Sequence, residues 1–365
     1  MKRSLFKDNL EYLISVFLSI VAALIIGALI MAANGRSPGV GYMALLNGAF
    51  GSKYNLANTF AKTVPLILTG LATAISFESG IFNIGGEGQL YLGAFAAAYV
   101  GFTFQSLPKG VGIILAILFA AAIGGLYAFI PAVLKVKYKI DEVITTIMLN
   151  SVAVLLTDYL VNYPFATAGQ GKMGATEMIA DKFQFTRLVR LSTLNTSIFF
   201  MLGISIVMYY IMKKTSWGYD FKMTGQNERF AKYGGVKTEK QMIVAMVISG
   251  ALCGIAGAFE VFGIHYRFLQ NISPGYAFDG MLVAMIVKNS PLGILIMSIF
   301  FGGLKTGSIS MENATSIPSE LVLVIQSIII LFLAGETGFK KKIKNMMLKK
   351  KKSEKAVKDS AKSAF

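Results

Sequence analysis

The sequence predicts an all-α, polytopic membrane protein of about ten transmembrane helices, some of them broken or short. Hydrophobic residues make up 55% of the 365 residues and charged residues only 15%, and the mean hydropathy is +0.62. These values are too apolar for a soluble domain of this length. Apolar runs of about 20 residues, the length that crosses a bilayer core, recur along the whole chain.

The apolar runs give ten predicted spans, of which two near the C-terminal end are short. Basic residues precede the first span as they precede a signal peptide, but its apolar core is too long and no A-x-A cleavage site follows. We therefore predict a retained anchor. The ten spans are Glu11–Ala33, Asn58–Phe77, Gly88–Phe104, Gly110–Leu134, Ile140–Tyr163, Asn195–Met212, Gln241–Gly263, Tyr276–Val287, Pro291–Lys305 and Ile317–Ala334.

Basic residues concentrate on one side of these spans, chiefly in the segment Lys213–Lys240 and after Gly335. The positive-inside rule then places both termini in the cytosol. We expect residues 1–10 to be a cytosolic N-terminus, residues 11–335 the membrane domain, and residues 336–365 a basic cytosolic tail. The net charge of +16 thus reflects topology and a tail near anionic lipid of the bilayer, so no nucleic-acid partner is expected.

The residues that usually carry catalysis or bind metals are scarce. The chain has one cysteine, Cys253, inside a span, and one histidine, His265, so neither a disulfide nor a metal site is expected. The sequence contains no phosphate-binding loop, G-x-S-x-G elbow, H-E-x-x-H helix or CxxC motif. We therefore expect no enzyme activity and no cofactor in this chain. Uphill transport would draw its energy from another chain or from an ion gradient.

The segment Phe77–Gln89, between the second and third spans, combines polar side chains with four glycines. This glycine density disfavours continuous helix. Irregular backbone at membrane depth is tolerated where it is buried in protein or lines a cavity. The segment is therefore either a broken helix against a transport pathway, which makes Asn83, Glu87 and Gln89 candidates for solute contact, or a tight turn in cytosolic water.

Two further carboxylates lie in or beside predicted spans. Glu260 follows glycines at positions 250, 254 and 257 in the seventh span, which predict close helix contacts. A charge at that depth faces protein or water, so both a hydrogen bond to a neighbouring helix and a pathway role are open. Asp279 begins the eighth span, where a cap on the helix N-terminus is favoured over solute contact.

The basic segment Lys213–Lys240 contains a predicted short helix, Glu228–Tyr233, stopped by Gly234-Gly235. Phe230 and Tyr233 are three residues apart and lie on one edge of it. The helix is either a docking element or an interfacial helix that rests on lipid.

Several motifs, in order along the chain, give it a resemblance to a known family. The chain resembles the permease family of bacterial ABC importers for branched-chain amino acids, ribose and simple sugars, and within it most resembles nucleoside permeases. The motifs are FNIGGEGQ at 82–89, GQN at 225–227, AKYGGV at 231–236, SGALCGIAG at 249–257, EVFG at 260–263, GYAFDG at 275–280 and NSPLG at 289–293.

The resemblance implies a permease subunit in the bacterial cell membrane that pairs with a second permease, a different chain in the nucleoside branch. ATP-binding subunits would hold the ATP and dock on the cytosolic loops, and an extracytoplasmic substrate-binding lipoprotein would deliver solute. The family has a double alanine where Phe230-Ala231 stands and Ala-Gly where Gly234-Gly235 stands. The residues that match its coupling loop are Gly225, Asn227, Arg229, Ala231, Tyr233 and Gly235.

The functional hypothesis is a pathway for nucleosides or simple sugars lined by Asn83, Glu87, Gln89, Glu260 and Asp279. The alternative is a secondary transporter or channel that works alone on a small polar solute. That alternative needs a coupling carboxylate within a span, for which Glu260 and Asp158 are the candidates.

Overall fold

A computed structural model describes residues 2–167, 174–329 and 331–332, with side chains from Leu18 onward. These residues form α-helices, without a β-strand among them. Most connections are short, but residues 163–196 separate the helix that ends at Asn162 from the one that begins at Ser197 and include a 3-10 turn, Asp181–Phe183. The helices are α1 Lys2–Ala33, α2 Pro38–Phe50, α3 Lys53–Glu78, α4 Gly86–Thr103, α5 Lys109–Tyr138, α6 Glu142–Asn162, α7 Ser197–Lys214, α8 Ser216–Gln226, α9 Glu228–Tyr233, α10 Thr238–Glu260, α11 Tyr276–Ile286 and α12 Pro291–Thr315. Residues 321–329 are also helical.

Among the described residues, six helices are long and apolar enough to cross a membrane: α3, α5, α6, α7, α12, and α10 with the turn that follows it. Leu18–Ala33 and α11 are shorter apolar helices. The predicted all-α, multi-pass membrane fold is confirmed. The number of ten spans and the cytosolic position of the termini stay predictions.

Several predicted bounds differ from the observed helices. Helix α2 was not predicted because its 13 residues are fewer than a span needs. Helix α12 continues ten residues past the predicted end at Lys305, and Thr306 and Ser308 in this extension donate their hydroxyls to helix carbonyls at 2.9 and 3.0 Å. The predicted span Ile317–Ala334 is helical only from Leu321, and its last residues lie outside the described residues.

The chain divides into two compact units, one formed by Met43–Ser310 and the other by Met1–Tyr42 with Met311–Phe365. Every candidate site residue lies in the first unit. At its centre, α10 packs against α5 and α4. A side chain at Gly254 would collide with the main chain of Ala120, and one at Gly257 with the main chain of Leu90 and Ala94. The predicted glycine-mediated helix contacts are confirmed.

The break predicted between the second and third spans is also present. Helix α3 ends at Glu78, α4 begins at Gly86, and the intervening segment 79–85 is not helical. Gly80 has a φ of +78°, which a residue without Cβ adopts readily. A second interruption lies in the C-terminal half of this unit, where α10 passes into a π-helical turn, Val261–His265, and a loop then leads to α11.

Candidate functional site

Hydrogen bonds from buried amides hold segment 79–85 in place. The Asn83 side-chain amide donates to Gln89 Oε1 at 2.9 Å and to Ser249 Oγ of α10 at 2.8 Å. Its Oδ1 accepts from Gln89 Nε2 and from the Gly85 main-chain N–H, both at 3.0 Å. Asn83 and Gln89 are 3% and 1% exposed. The polar residues of this segment are therefore buried in protein, and the alternative of a solvated turn is wrong.

Asn150 of α6 completes the support of the break. Its Nδ2 donates to the carbonyl of Ile84, and its Oδ1 accepts from the main-chain N–H of Gly88, both at 2.8 Å. These two main-chain groups have no helical partner, because α4 has only just begun. Sequence reasoning missed Asn150, which lies inside the apolar run of α6, although a lone amide in such a run is itself a signal.

Glu87 lies between the N-terminal ends of α4 and α11. Its Oε2 accepts from the Ala277 main-chain N–H at 3.0 Å, and a Cβ on Gly86 would be 3.1 Å from the Ala277 side chain. Ser273 Oγ accepts from the Tyr276 N–H at 3.1 Å. The carboxylate thus satisfies a free amide of α11 where the positive ends of two helices meet. The prediction that Asp279 caps α11 is wrong, because Glu87 and Ser273 do so.

Asp279 instead forms an ion pair with Lys305 of α12. The Lys305 ammonium also lies over the Tyr276 ring, 5.1 Å from its centroid. Lys62 of α3 donates from Nζ to the Lys305 carbonyl at 3.1 Å. Sequence reasoning did not select Lys62 or Lys305 for the site, although a lysine within an apolar run is costly and normally has a partner or a function.

Glu260 is the last residue of α10 and is 2% exposed. Its carboxylate accepts no hydrogen bond from the described residues, and the nitrogen paired with it is His265 Nε2 at 3.7 Å. The charges of Lys62 and Lys305 act on it. The π-helical turn begins immediately after Glu260, and such turns in α-helices are frequent at functional sites.

The structure thus gathers five buried or half-buried ionisable side chains from five helices into one region, hereafter the charge cluster. Its members are Lys62, Glu87, Glu260, Asp279 and Lys305. Of the five predicted pathway residues, Glu87, Glu260 and Asp279 belong to this cluster. Asn83 and Gln89 lie beside it in the broken segment and the first turns of α4.

A short internal similarity marks the two halves of the cluster. Glu87-Gly88-Gln89-Leu90 opens α4 and Asp279-Gly280-Met281-Leu282 lies in the first turns of α11, and each follows an Asn-Ile pair. Each glycine permits a close contact, Gly88 with α6 and Gly280 with α3.

The basic segment forms α8 and α9. Helix α9 spans Glu228–Tyr233, as predicted. Asn227 Oδ1 caps it by accepting from the Phe230 N–H at 3.0 Å, and Ala231 is buried. Gly235, with a φ of +85°, follows its end.

The outer face of α9 is open to solvent. Tyr233 is 94% exposed and Phe230 63% exposed, and Arg229 is also exposed. Lys232 Nζ contacts Glu228 Oε1 at 2.8 Å, and this hydrogen bond holds the pKa of Glu228 below its usual value. Of the residues predicted to couple to the ATP-binding subunit, Asn227, Ala231 and Gly235 therefore build or bound the helix. Arg229 and Tyr233 face outward.

Gly225, at the end of α8, joins this segment to the break. A Cβ on Gly225 would be 2.9 Å from the Gly80 nitrogen and 3.0 Å from the Glu78 carbonyl carbon. The main chains of the two segments are therefore in direct contact. No side chain separates Gly225 from the end of α3 at this point.

Several long apolar helices, a broken helix held by buried amides and ionisable groups within the membrane region define a multi-pass membrane transport protein. Residues 55–334 match the family described as branched-chain amino acid transport system / permease component. The chain belongs to this family and is a transport permease.

Similar proteins cover nearly the whole chain. The guanosine ABC transporter permease protein NupP of Bacillus subtilis is 36% identical over 90% of this chain and 94% of its own. The nucleoside ABC transporter permease protein NupB of Lactococcus lactis is 33% identical over 93% and 97%. The glucose ABC transporter permease protein TsgB13 of Haloferax volcanii is 30% identical over 89% and 87%.

Proposed function

We propose that this chain is the permease subunit of an ATP-driven importer and forms part of the pathway by which a nucleoside enters the cell. The observation that carries the proposal is the similarity over nine-tenths of the chain to permeases named for guanosine and for nucleosides. The permease named for glucose is less similar. Nucleosides and glucose share vicinal hydroxyl groups on a neutral ring, so a polyhydroxylated neutral solute is the common chemistry.

The energy for transport comes from a separate ATP-binding subunit, with the basic face of α8 and α9 in the cytosol. The exposure of Arg229, Phe230 and Tyr233 supports this docking role, as does a groove of about 460 Å³ beside α9 that is lined by Trp217 and Lys237 among others. With this face in the cytosol, ten spans place both termini there too. The remaining partners are a second, different permease chain and an extracytoplasmic substrate-binding lipoprotein.

Movement passes from the ATP-binding subunit to the pathway through main-chain contacts. Closure of the ATP-binding subunits pushes α9, and the contact of Gly225 with Gly80 transfers the displacement to the end of α3. Segment 79–85 is not helical, so it can change its backbone angles at lower cost than a helix interior. Its anchors, Asn83 and Gln89, then shift relative to α10. Such a switch requires two arrangements of similar free energy that the ATP state biases.

The polar wall of the pathway consists of Asn83, Glu87, Gln89, Glu260 and Asp279. These residues perform two different tasks. Asn83 and Gln89 hydrogen-bond each other, Glu87 accepts from the Ala277 N–H, and Asp279 pairs with Lys305. These four residues therefore hold the helix junction. Glu260 has free acceptor capacity within the described residues, and it contacts the solute.

The experiment is uptake of labelled guanosine, uridine and glucose by cells that express the complete transporter, with the gene for this chain deleted as the blank. The proposal predicts uptake of nucleosides that unlabelled nucleosides, but not glucose, suppress. It also predicts that an ATP-binding subunit unable to hydrolyse ATP abolishes this uptake. Uptake of glucose alone would show that the solute is a sugar and not a nucleoside. Uptake that continues with the inactive ATP-binding subunit would refute the proposal that import is driven by ATP.

A further inference from the structure

Two oppositely charged side chains of the charge cluster leave most of their hydrogen-bonding capacity unused. The Lys62 ammonium has three donors but donates to one acceptor among the described residues, the Lys305 carbonyl at 3.1 Å. The Glu260 carboxylate accepts no hydrogen bond from the described residues, and His265 Nε2 is 3.7 Å away. Neither group has the partners that a charge removed from water normally requires.

The two side chains lie on neighbouring helices and interact electrostatically. Helices α3 and α10 pack against each other, and the charges of Lys62 and Glu260 act on one another. They nevertheless form no direct ion pair, unlike Asp279 and Lys305. Both side chains therefore keep hydrogen-bonding capacity for polar atoms that do not belong to the described protein.

The remaining charges of the cluster already have protein partners. Asp279 neutralises Lys305, and Glu87 accepts from the N-terminus of α11. One donor group, on Lys62, and one acceptor group of opposite charge, on Glu260, are therefore left with unused hydrogen-bonding capacity. A solute that carries a net charge would match one of them and repel the other, whereas a neutral solute with both donors and acceptors suits the pair.

We propose that Lys62 and Glu260 together bind the vicinal hydroxyl groups of a neutral solute as it passes through the permease. One hydroxyl donates to the Glu260 carboxylate, and the adjacent hydroxyl accepts from the Lys62 ammonium. Ribose in a nucleoside presents such a pair at its 2′ and 3′ positions. This inference rests on the proposed function, because it concerns the solute of that pathway.

The test compares uptake of a ribonucleoside with uptake of its 2′,3′-dideoxy analogue. The complete transporter, reconstituted in liposomes with saturating binding lipoprotein and ATP, carries Lys62→Met or Glu260→Gln. The controls are Lys53→Met and Glu239→Gln, which lie on the same two helices and are exposed. The lipoprotein is the same in every reaction, so its own preference cancels when the uptake ratio is compared between variants.

The wild type and both controls should take up the ribonucleoside about tenfold or more faster than the analogue, because a site built to bind hydroxyls rejects a solute without them. In Lys62→Met and Glu260→Gln the two rates should come within about twofold, chiefly through slower ribonucleoside uptake. If these variants transport neither solute, Lys62→Arg and Glu260→Asp, which keep the charges, should transport with a smaller ratio than the wild type.

Three results would overturn the assignment. They are a wild-type ratio near one, a ratio that stays at the wild-type value in every variant that still transports, and loss of both uptakes in all four variants. The proposed function fails differently, since the wild-type complex would then take up neither nucleoside with ATP.

Discussion

Replacing Gly225 by alanine tests the contact that joins the cytosolic segment to the broken helix. The added Cβ would lie 2.9 Å from the Gly80 nitrogen and 3.0 Å from the Glu78 carbonyl carbon, and closer still to the Glu78 oxygen. Ordinary contacts between such atoms are 3.5–4.0 Å, so the two main chains must separate by roughly 0.5–1 Å. Overpacking of this kind costs about 1–3 kcal/mol.

If that contact transfers the movement of the ATP-binding subunit, a loss of about 1–3 kcal/mol in coupling free energy weakens the coupling of ATP hydrolysis to transport by about 5–150-fold. The measurement is solute taken up per ATP hydrolysed by the complete transporter in liposomes. We expect Gly225→Ala to lower this quotient at least about fivefold, while ATP hydrolysis itself continues.

The matched control is Gly234→Ala in the same segment. A Cβ there meets only the Ala231 and Phe230 carbonyls at 3.4 and 3.6 Å, and its φ of −76° suits any residue. This variant should keep the wild-type quotient. A wild-type quotient in Gly225→Ala would refute the proposed transfer of movement through this contact.

Three further tests follow from the same geometry. Lys305→Met leaves Asp279 as an unpaired buried charge, so we expect the purified protein to lose about 3–5 kcal/mol of stability in thermal unfolding. The double variant Lys305→Met/Asp279→Leu should recover most of that loss. Equal stability of the single and double variants would contradict this. Asn150→Ala removes the hydrogen bonds to the Ile84 carbonyl and the Gly88 N–H, and each unsatisfied group should lower the stability by about 1–3 kcal/mol. An unchanged unfolding temperature would show that water replaces the lost hydrogen bonds. Arg229→Glu with Tyr233→Ala alters exposed side chains only, so uptake should be lost without a change in unfolding temperature, and normal uptake would exclude α9 from docking.

Local chemistry explains the parts of this site that the sequence predicted. Helix α9 has an asparagine cap before it and two glycines after it, signals that act within a few residues. The break follows from the glycine density of Phe77–Gln89, and the close contact of α10 follows from its glycines at positions 250, 254 and 257. Each of these features depends on neighbours in the chain rather than on the tertiary arrangement.

The missed features depend on which helices meet. Asp279 was expected to cap its own helix, but Glu87, 190 residues from Ala277 in sequence, accepts from the Ala277 amide there. The Asp279–Lys305 pair and the support from Asn150 likewise join separate helices. One sequence does not reveal such pairings, although each missed residue is polar and lies within an apolar run. Burying a polar side chain within the membrane is costly, so every such residue is a reason to seek a partner on another helix.

The dependence of transport on a second chain's ATP hydrolysis is open to one decisive measurement. The permease chains are placed in liposomes with and without the ATP-binding subunit, with the loaded lipoprotein outside and ATP or an ion gradient supplied in turn. We expect nucleoside accumulation only with the ATP-binding subunit and ATP. Accumulation against a gradient by the permease without that subunit, driven by ions alone, would show that this protein is a secondary transporter.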